Sequence, residues 1–189
     1  AGGLNHSLAI KEDSTVWAWG YNGYGQLGDA TNTNSNIPVP VSSLTEVISI
    51  AGGWHYSLAL KSDGTVWAWG LNDYGQLGNG TFTDSNIPVQ ITSLSGITAI
   101  AAGGMHALAL KNDGTVWCWG YNNQGQLGDA SNTDSNVPVM VTGLCSILAE
   151  VDELTNPTSV SVFPNPFSSN VTFQTKNIFD DATLTLYNS

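Results

Sequence analysis

The chain contains no arginine and only four lysines, against 15 acidic residues, for a formal net charge of −11 over 189 residues. So few cations cannot neutralise a run of phosphates, which argues against nucleic acid and against anionic membrane surfaces as partners. The acidity has a simpler use, keeping a glycine- and asparagine-rich β protein soluble. No apolar run is long enough to span a bilayer, so no membrane insertion is expected. Lysine, glutamate and methionine are scarce, no stretch sustains a 3.6-residue period, and the 21 glycines point to turns rather than helices. The two cysteines, Cys118 and Cys145, lack metal-ligand spacing and permit one disulfide without arguing for it. Cys118 stands where Ala18 and Ala68 stand in related segments, which reads as a small buried residue. There is no initiating Met and no signal peptide; the chain opens inside a repeat and is read as a piece of a longer protein.

What is present is repetition. "TVWAWGYNGYGQLGDA" from Thr15 returns as "TVWAWGLNDYGQLGNG" from Thr65 and "TVWCWGYNNQGQLGDA" from Thr115, a period of 50 residues. Periods of that size mark propellers, solenoids or arrays. In the middle unit "EVISIAGG" (46–53) alternates, with Val47, Ser49 and Ala51 on one face, and "HYSLALK" (55–61) follows. "SDGT" (62–65) carries the Asp-Gly pair of a tight hairpin, and "VWAWG" (66–70) returns. After a Gly/Asn-rich loop, "IPVQIT" (87–92) supplies a fourth strand, its Pro88 tolerable on an edge. The third unit repeats this at 97–102, 106–111, 115–119 and 137–142, while the first lacks the opening strand and reads "KEDST" at the hairpin. Four short strands in meander order make a propeller blade, and three blades cannot close a ring. The expected fold is therefore all-β: an incomplete arc of about three four-stranded blades over residues 1–144, in units of about 1–44, 45–94 and 95–144, or about eleven strands.

The run "GWHYSLALKSDGTVWAWGLNDYGQLGNG" resembles the repeat of the regulator of chromosome condensation family. The marks are a Gly, a His before Ser-Leu-Ala-Leu, Trp-Gly, an Asn, and Gly-Gln-Leu-Gly at matching spacing. The resemblance implies a propeller, usually of seven blades, and the family's name implies guanine-nucleotide exchange with chromatin binding. The family's His falls at His6 and His106, but the middle unit has Tyr56 there, with His55 one place earlier. A function requiring that imidazole in every blade is not expected.

At Leu144 the repeat stops. Residues 145–158 read as a linker with an acidic centre, and 159–189 as short alternating strands of a truncated, sandwich-like segment. "SVSVFPNPF", with its turn Pro164-Asn165-Pro166, then "NVTFQTK" and "ATLTLYNS", resembles the C-terminal sorting domain of the type IX secretion system of Bacteroidetes. That resemblance implies export across the outer membrane to the cell surface or medium, with the secretion machinery as a partner.

No catalytic set is visible: His6, His55 and His106 lie beside small residues, with no recurring nucleophile or acid. Each is read as packed at a blade's glycine-rich corner. Asp29, Asn79 and Asp129 open oxygen-rich loops without calcium-loop spacing, so they are read as turn caps, with no metal or cofactor expected. Trp17, Trp19, Trp67, Trp69, Trp117 and Trp119 are read as glue between blades, large rings on one strand face and Val or Ala on the other. Buried tryptophans would each contribute on the order of 4–6 kcal/mol gross. Between the Trp-Gly and Gly-Gln-Leu-Gly boxes the repeats vary, carrying Tyr24 and Tyr74, while Trp54 stands where Leu4 and Gly104 sit. These three aromatics are candidate protein contacts. The expectation is a non-enzymatic, protein-binding propeller segment of an exported surface or secreted protein. Its alternatives are a non-catalytic module of a larger secreted hydrolase and, against the charge and tail, a nucleotide-exchange propeller.

Overall fold

A computed structural model describes residues 1–144, 170–176 and 181–187, and the chain divides into two compact units, Ala1–Leu144 and Cys145–Ser189. The first unit holds eleven strands in three antiparallel sheets. The first is β1 (His6–Ile10), β2 (Val16–Gly20) and β3 (Ser35–Pro40). The second is β4 (Val47–Gly52), β5 (Tyr56–Lys61), β6 (Val66–Gly70) and β7 (Ser85–Gln90). The third is β8 (Ile97–Ala102), β9 (His106–Lys111), β10 (Val116–Gly120) and β11 (Ser135–Met140). Neighbours in sequence are neighbours in each sheet, the meander of a propeller blade. In the first blade Ala1 exchanges both backbone hydrogen bonds with Leu8, each 2.9 Å, the place that Ala51 takes opposite Leu58.

Local chemistry sets the turns. Lys11, Lys61 and Lys111 close their hairpins onto Thr15, Thr65 and Thr115, and Asp13, Asp63 and Asp113 accept both the backbone N–H and the hydroxyl of those threonines. Those hydroxyls in turn accept from the indole nitrogens of Trp17, Trp67 and Trp117 at 3.0–3.3 Å. Pro38, Pro88 and Pro138 lie on the outer edge strands β3, β7 and β11, where a missing N–H breaks no ladder. One face assignment needs correction. A bulge between Val47 and Ser49 interrupts the alternation expected over 46–53, so that Val47 packs in one core with Ile50, while Ala51 packs against the other.

The core lies between blades. Val16, Ala18 and Leu27 of the first blade pack with Ala59 and Trp69 of the second, and Trp67 covers them. Val66, Ala68 and Leu77 of the second blade pack with Ala107, Ala109 and Trp119 of the third, and Trp117 covers those. β6 and β10 thus turn their tryptophans to the blade before, and β2 and β6 turn their Val and Ala to the blade after. Ala18 and Ala68 are small where the next blade's indole presses in.

The Gly-Gln-Leu-Gly box is the receptor for that indole. Trp69 donates Nε1–H to the Gln26 carbonyl and Trp119 to that of Gln76, both at 2.9 Å. Leu27 and Leu77 are fully buried beneath. Gly28 and Gly78 have φ of 69° and 63°, and a Cβ at either would stand 2.7 Å from the indole nitrogen. Glycine therefore meets two demands at once, a left-handed backbone and the space of the ring.

In the second unit, β12 (Asn170–Lys176) pairs antiparallel with β13 (Asp181–Tyr187), from Asn170 opposite Tyr187 to Lys176 opposite Asp181. Cys145, the linker 145–158 and the Pro164-Asn165-Pro166 turn lie outside the described residues.

Candidate functional site

The register gives each blade two unlike ends. His6 pairs with Gly20 and Gly20 with Ser35, so the long loop 21–34 shares an end with residues 2–5. The same pairing places 53–55 with 71–84 and 103–105 with 121–134. The lysine-bearing hairpins lie at the opposite end. The first is the loop end, and all three candidate contact residues fall on it.

A buried asparagine holds each long loop. Asn22 accepts the Leu27 N–H at 2.9 Å and donates Nδ2 to Asp29 and to the Thr31 and Thr33 carbonyls. Asn72 and Asn122, likewise fully buried, accept the Leu77 and Leu127 N–H and donate to the carbonyls of Thr81 and Thr83 and of Ser131 and Thr133, and Asn122 also donates to Asp129. Asp29, Asn79 and Asp129 each accept the backbone N–H two residues on, an Asx turn. A loop fixed from inside presents its variable side chains on a rigid frame.

Those side chains meet at the seams. Tyr24 lies 5.2 Å from His55 of the next blade and 6.1 Å from Tyr21, centroid to centroid. Tyr74 meets Tyr121 of the third blade edge to face at 4.8 Å. Trp54, 48% exposed, lies over Gly104, where a Cβ would stand 2.7 Å from the ring. Its backbone N–H donates to the Gly104 carbonyl at 2.9 Å. The structure thus puts Tyr24 beside the segment bearing Trp54, and Tyr74 at the following seam.

The histidines do more than fill corners. His6 crosses the first seam to Ser57 Oγ at 2.9 Å, and Ser57 donates onward to the Gln26 carbonyl at 2.9 Å. His6 Nδ1 is buried without a protein partner. Burial, and then the charge of His55, lower the His6 pKa to about 4, so it is neutral at ordinary pH. A histidine touching a serine invites comparison with a nucleophile–base pair. Here nothing orients Nδ1, and the serine proton is committed to a carbonyl. At the second seam Tyr56 does the corresponding work, its hydroxyl donating to the carbonyls of Gly103, at 3.1 Å, and His106. Burial alone lowers His106 below its usual range. Cys118 is buried, and burial first, then the Asp129 charge, push its thiol up to about 12. Among the described residues no cluster of His, Cys, Asp or Glu could hold a metal ion.

The sequence did not give away the Gly-Gln-Leu-Gly receptor, the His6–Ser57 bridge or the Tyr74–Tyr121 pair, all of which join residues in different repeats. One signal was available: His6 stands in the unit before Ser57, the partner it reaches, whereas Tyr56 replaces histidine in the unit before Ala107, which has no hydroxyl.

Repeated four-stranded blades, each keyed into the next by a tryptophan, define an open arc of a β-propeller. The profile of the RCC1-like domain matches residues 1–162. The chain therefore belongs to the RCC1-like domain family. Human WBSCR16 superposes with a TM-score of 0.74 at 27% identity, over 93% of this chain and 44% of that one. Yeast RCC1 (Prp20), solved bound to Kap60, gives 0.69 at 24% identity over 77% of this chain and 37% of its own, a likeness of fold alone. The RCC1 domain-containing protein RUG3, mitochondrial, of Arabidopsis thaliana is 39% identical over 41 residues, 22% of this chain and 9% of its own length. The chain spans less than half of each of these relatives.

Proposed function

We propose that the blades form a non-enzymatic protein-binding module of an exported bacterial surface or secreted protein, and that the partner docks on the loop end. The observation that carries this is the division of labour among aromatics. The indoles of Trp69 and Trp119 are buried in seams, whereas Tyr21 and Phe82 are exposed on loops held rigid by buried asparagines, and Trp54 is exposed on the short β4–β5 connection tied to the Gly104 carbonyl. Rigid aromatics with little entropy left to lose make efficient contacts. Yeast Prp20p was solved in a study of its binding to Gsp1p and histones, so protein binding has precedent on this fold. The export half of the proposal rests on the resemblance of residues 159–189, with Pro164, Asn165 and Pro166, to a type IX sorting domain. The secretion machinery would then be a second, transient partner.

The reading as a module of a larger secreted hydrolase differs only in what accompanies these blades. Nucleotide exchange is what the family's name implies, but the net charge of −11 and the sorting-like tail weigh against a chromatin role. A photo-crosslinking residue at Trp54 or Tyr24, compared with one at Glu12 on the hairpin end, tests the binding half. Crosslinks to one protein from the loop end are expected, and crosslinks from Glu12 alone, or hydrolytic activity residing in the blades, would sink it. Residues 159–189 fused to a reporter test export: alanine at Pro164, Asn165 and Pro166 should abolish it, and undiminished export refutes the assignment.

A further inference from the structure

We propose that the loop end at the seam between the second and third blades receives an arginine-rich segment of a protein partner, the guanidinium groups stacking on Tyr74 and Tyr121 and pairing with Asp73 and Asp84. The inference rests on the protein-binding reading above and specifies the partner's chemistry. Three observations meet at this seam.

The first is the aromatic wall. Tyr74 and Tyr121 stand edge to face at 4.8 Å across the seam, and the same end carries Trp54, 48% exposed, and Phe82, 55% exposed. Aromatic faces attract cations, most of all the planar guanidinium group, which also stacks.

The second is uncompensated charge. Asp73 is exposed next to Tyr74, and Asp84 accepts the Asn72 N–H at 2.7 Å from the same loop. Partial burial first, and the charge of Asp73 as well, hold the Asp84 carboxyl above its usual range. Among residues 1–144 no cation answers them. Lys11, Lys61 and Lys111 all sit at the hairpin end, engaged with Asp13, Glu46 and Asp113 at 3.6, 3.3 and 3.0 Å. An exposed carboxylate such as that of Asp73 offers two oxygens side by side, which the planar fork of arginine fits better than lysine does.

The third is that the first seam lacks the pair. There Gly23 replaces Asp73, Asn34 replaces Asp84, and His55 packs against Tyr24. The same frame carries aromatics at both seams but places this acid pair at only one. General acidity would not make that distinction.

Calorimetric titration of the whole chain with a blocked hepta-arginine peptide tests the proposal, with hepta-citrulline as the uncharged isostere. Saturable one-to-one binding of the arginine peptide is expected, with none of the citrulline peptide. Asp73→Asn and Tyr74→Leu should each weaken binding at least tenfold. Glu12→Gln, which removes one charge at the other end, should leave it unchanged. Circular dichroism checks that Tyr74→Leu folds, and Asp73→Asn, altering an exposed side chain, stands by itself if it does not. Equal binding of citrulline, or equal weakening by Glu12→Gln and Asp73→Asn, overturns the proposal in favour of diffuse attraction. A partner crosslinked at Trp54 without arginine binding overturns this inference alone, whereas absence of loop-end crosslinks overturns it together with the reading beneath it.

Discussion

The first and second blades carry the same hexapeptide, Thr-Val-Trp-Ala-Trp-Gly, yet Trp19 is half-buried and Trp69 is wholly enclosed. Nothing within the strand accounts for this, since both occupy the same register opposite Ser7 and Ser57. The difference is the neighbour. Trp69 has the Gln26 carbonyl, Leu27 and Gly28 before it, and no such receptor faces Trp19 among the described residues. The tryptophan's stabilising effect is a property of a pair of blades, not of a blade.

That contrast can be broken most directly at the ring itself. Trp69→Ala and Trp119→Ala should each cost about 3–5 kcal/mol, from lost apolar burial plus the cavity left behind. Trp19→Ala should cost roughly 1–2 kcal/mol, because less of its surface leaves water on folding. Urea denaturation measures all three, and equal losses would refute the pairwise account.

Acid distinguishes the two seams. The folded His6 pKa, about 4, lies below its unfolded value of 6.5, so the unfolded chain binds the extra proton. The neutral ring's contribution is complete above pH 6.5 and is lost as pH falls from there towards 4, by up to about 3 kcal/mol. His6→Tyr copies the second seam, where a Tyr56 hydroxyl reaches the corresponding carbonyls, and should remove most of that pH dependence. An unchanged pH profile of unfolding in His6→Tyr would show that the sensitivity lies elsewhere.

Glycine substitution sharpens the receptor. Gly78→Ala meets both a positive φ and the Trp119 ring and should cost about 2–3 kcal/mol. Gly128→Ala meets a positive φ and only Val141, so about 1 kcal/mol is expected. Thermal melts of the pair would expose a receptor effect or its absence.

The smallest effect concerns a loose end. Gln26 Nε2 reaches His55 Nδ1 at 3.5 Å, but Met105 stands at the corresponding place facing Gln76, whose Nε2 is buried without a partner. Met105→His should supply one and stabilise by up to about 1 kcal/mol in chemical denaturation. A destabilised variant would mean the two seams are not equivalent at this position.

Much of a single blade is written in adjacent residues. Asp-Gly fixes the hairpin at Asp63 and Gly64, Pro88 marks an edge strand, and the alternation of Val66, Trp67, Ala68 and Trp69 separates two faces. The bulge at Ile48 was not legible, because it depends on how β4 meets β5. Between blades the sequence says which positions recur but not which position of one faces which of the next. His6 meets Ser57 at a separation of 51 and Gln26 meets Trp69 at 43, offsets set by the angle at which sheets stack. The candidate contacts were found by their variability, but Tyr121, Asp84 and the absence of a counter-ion acquired meaning only once the loops were placed together.

The indole of Trp69 ends on a main-chain oxygen, that of Gln26, and not on a side chain. Every residue type but none in particular supplies such an oxygen, so the joint between blades places no demand on the chemical identity of its acceptor. Apart from the small residues that make room for the ring, selection on the receptor need not match the acceptor's side chain to the next blade. A repeat duplicated, deleted or exchanged arrives with half of each joint already compatible, which is how such an arc could change length while its outer loops diversify.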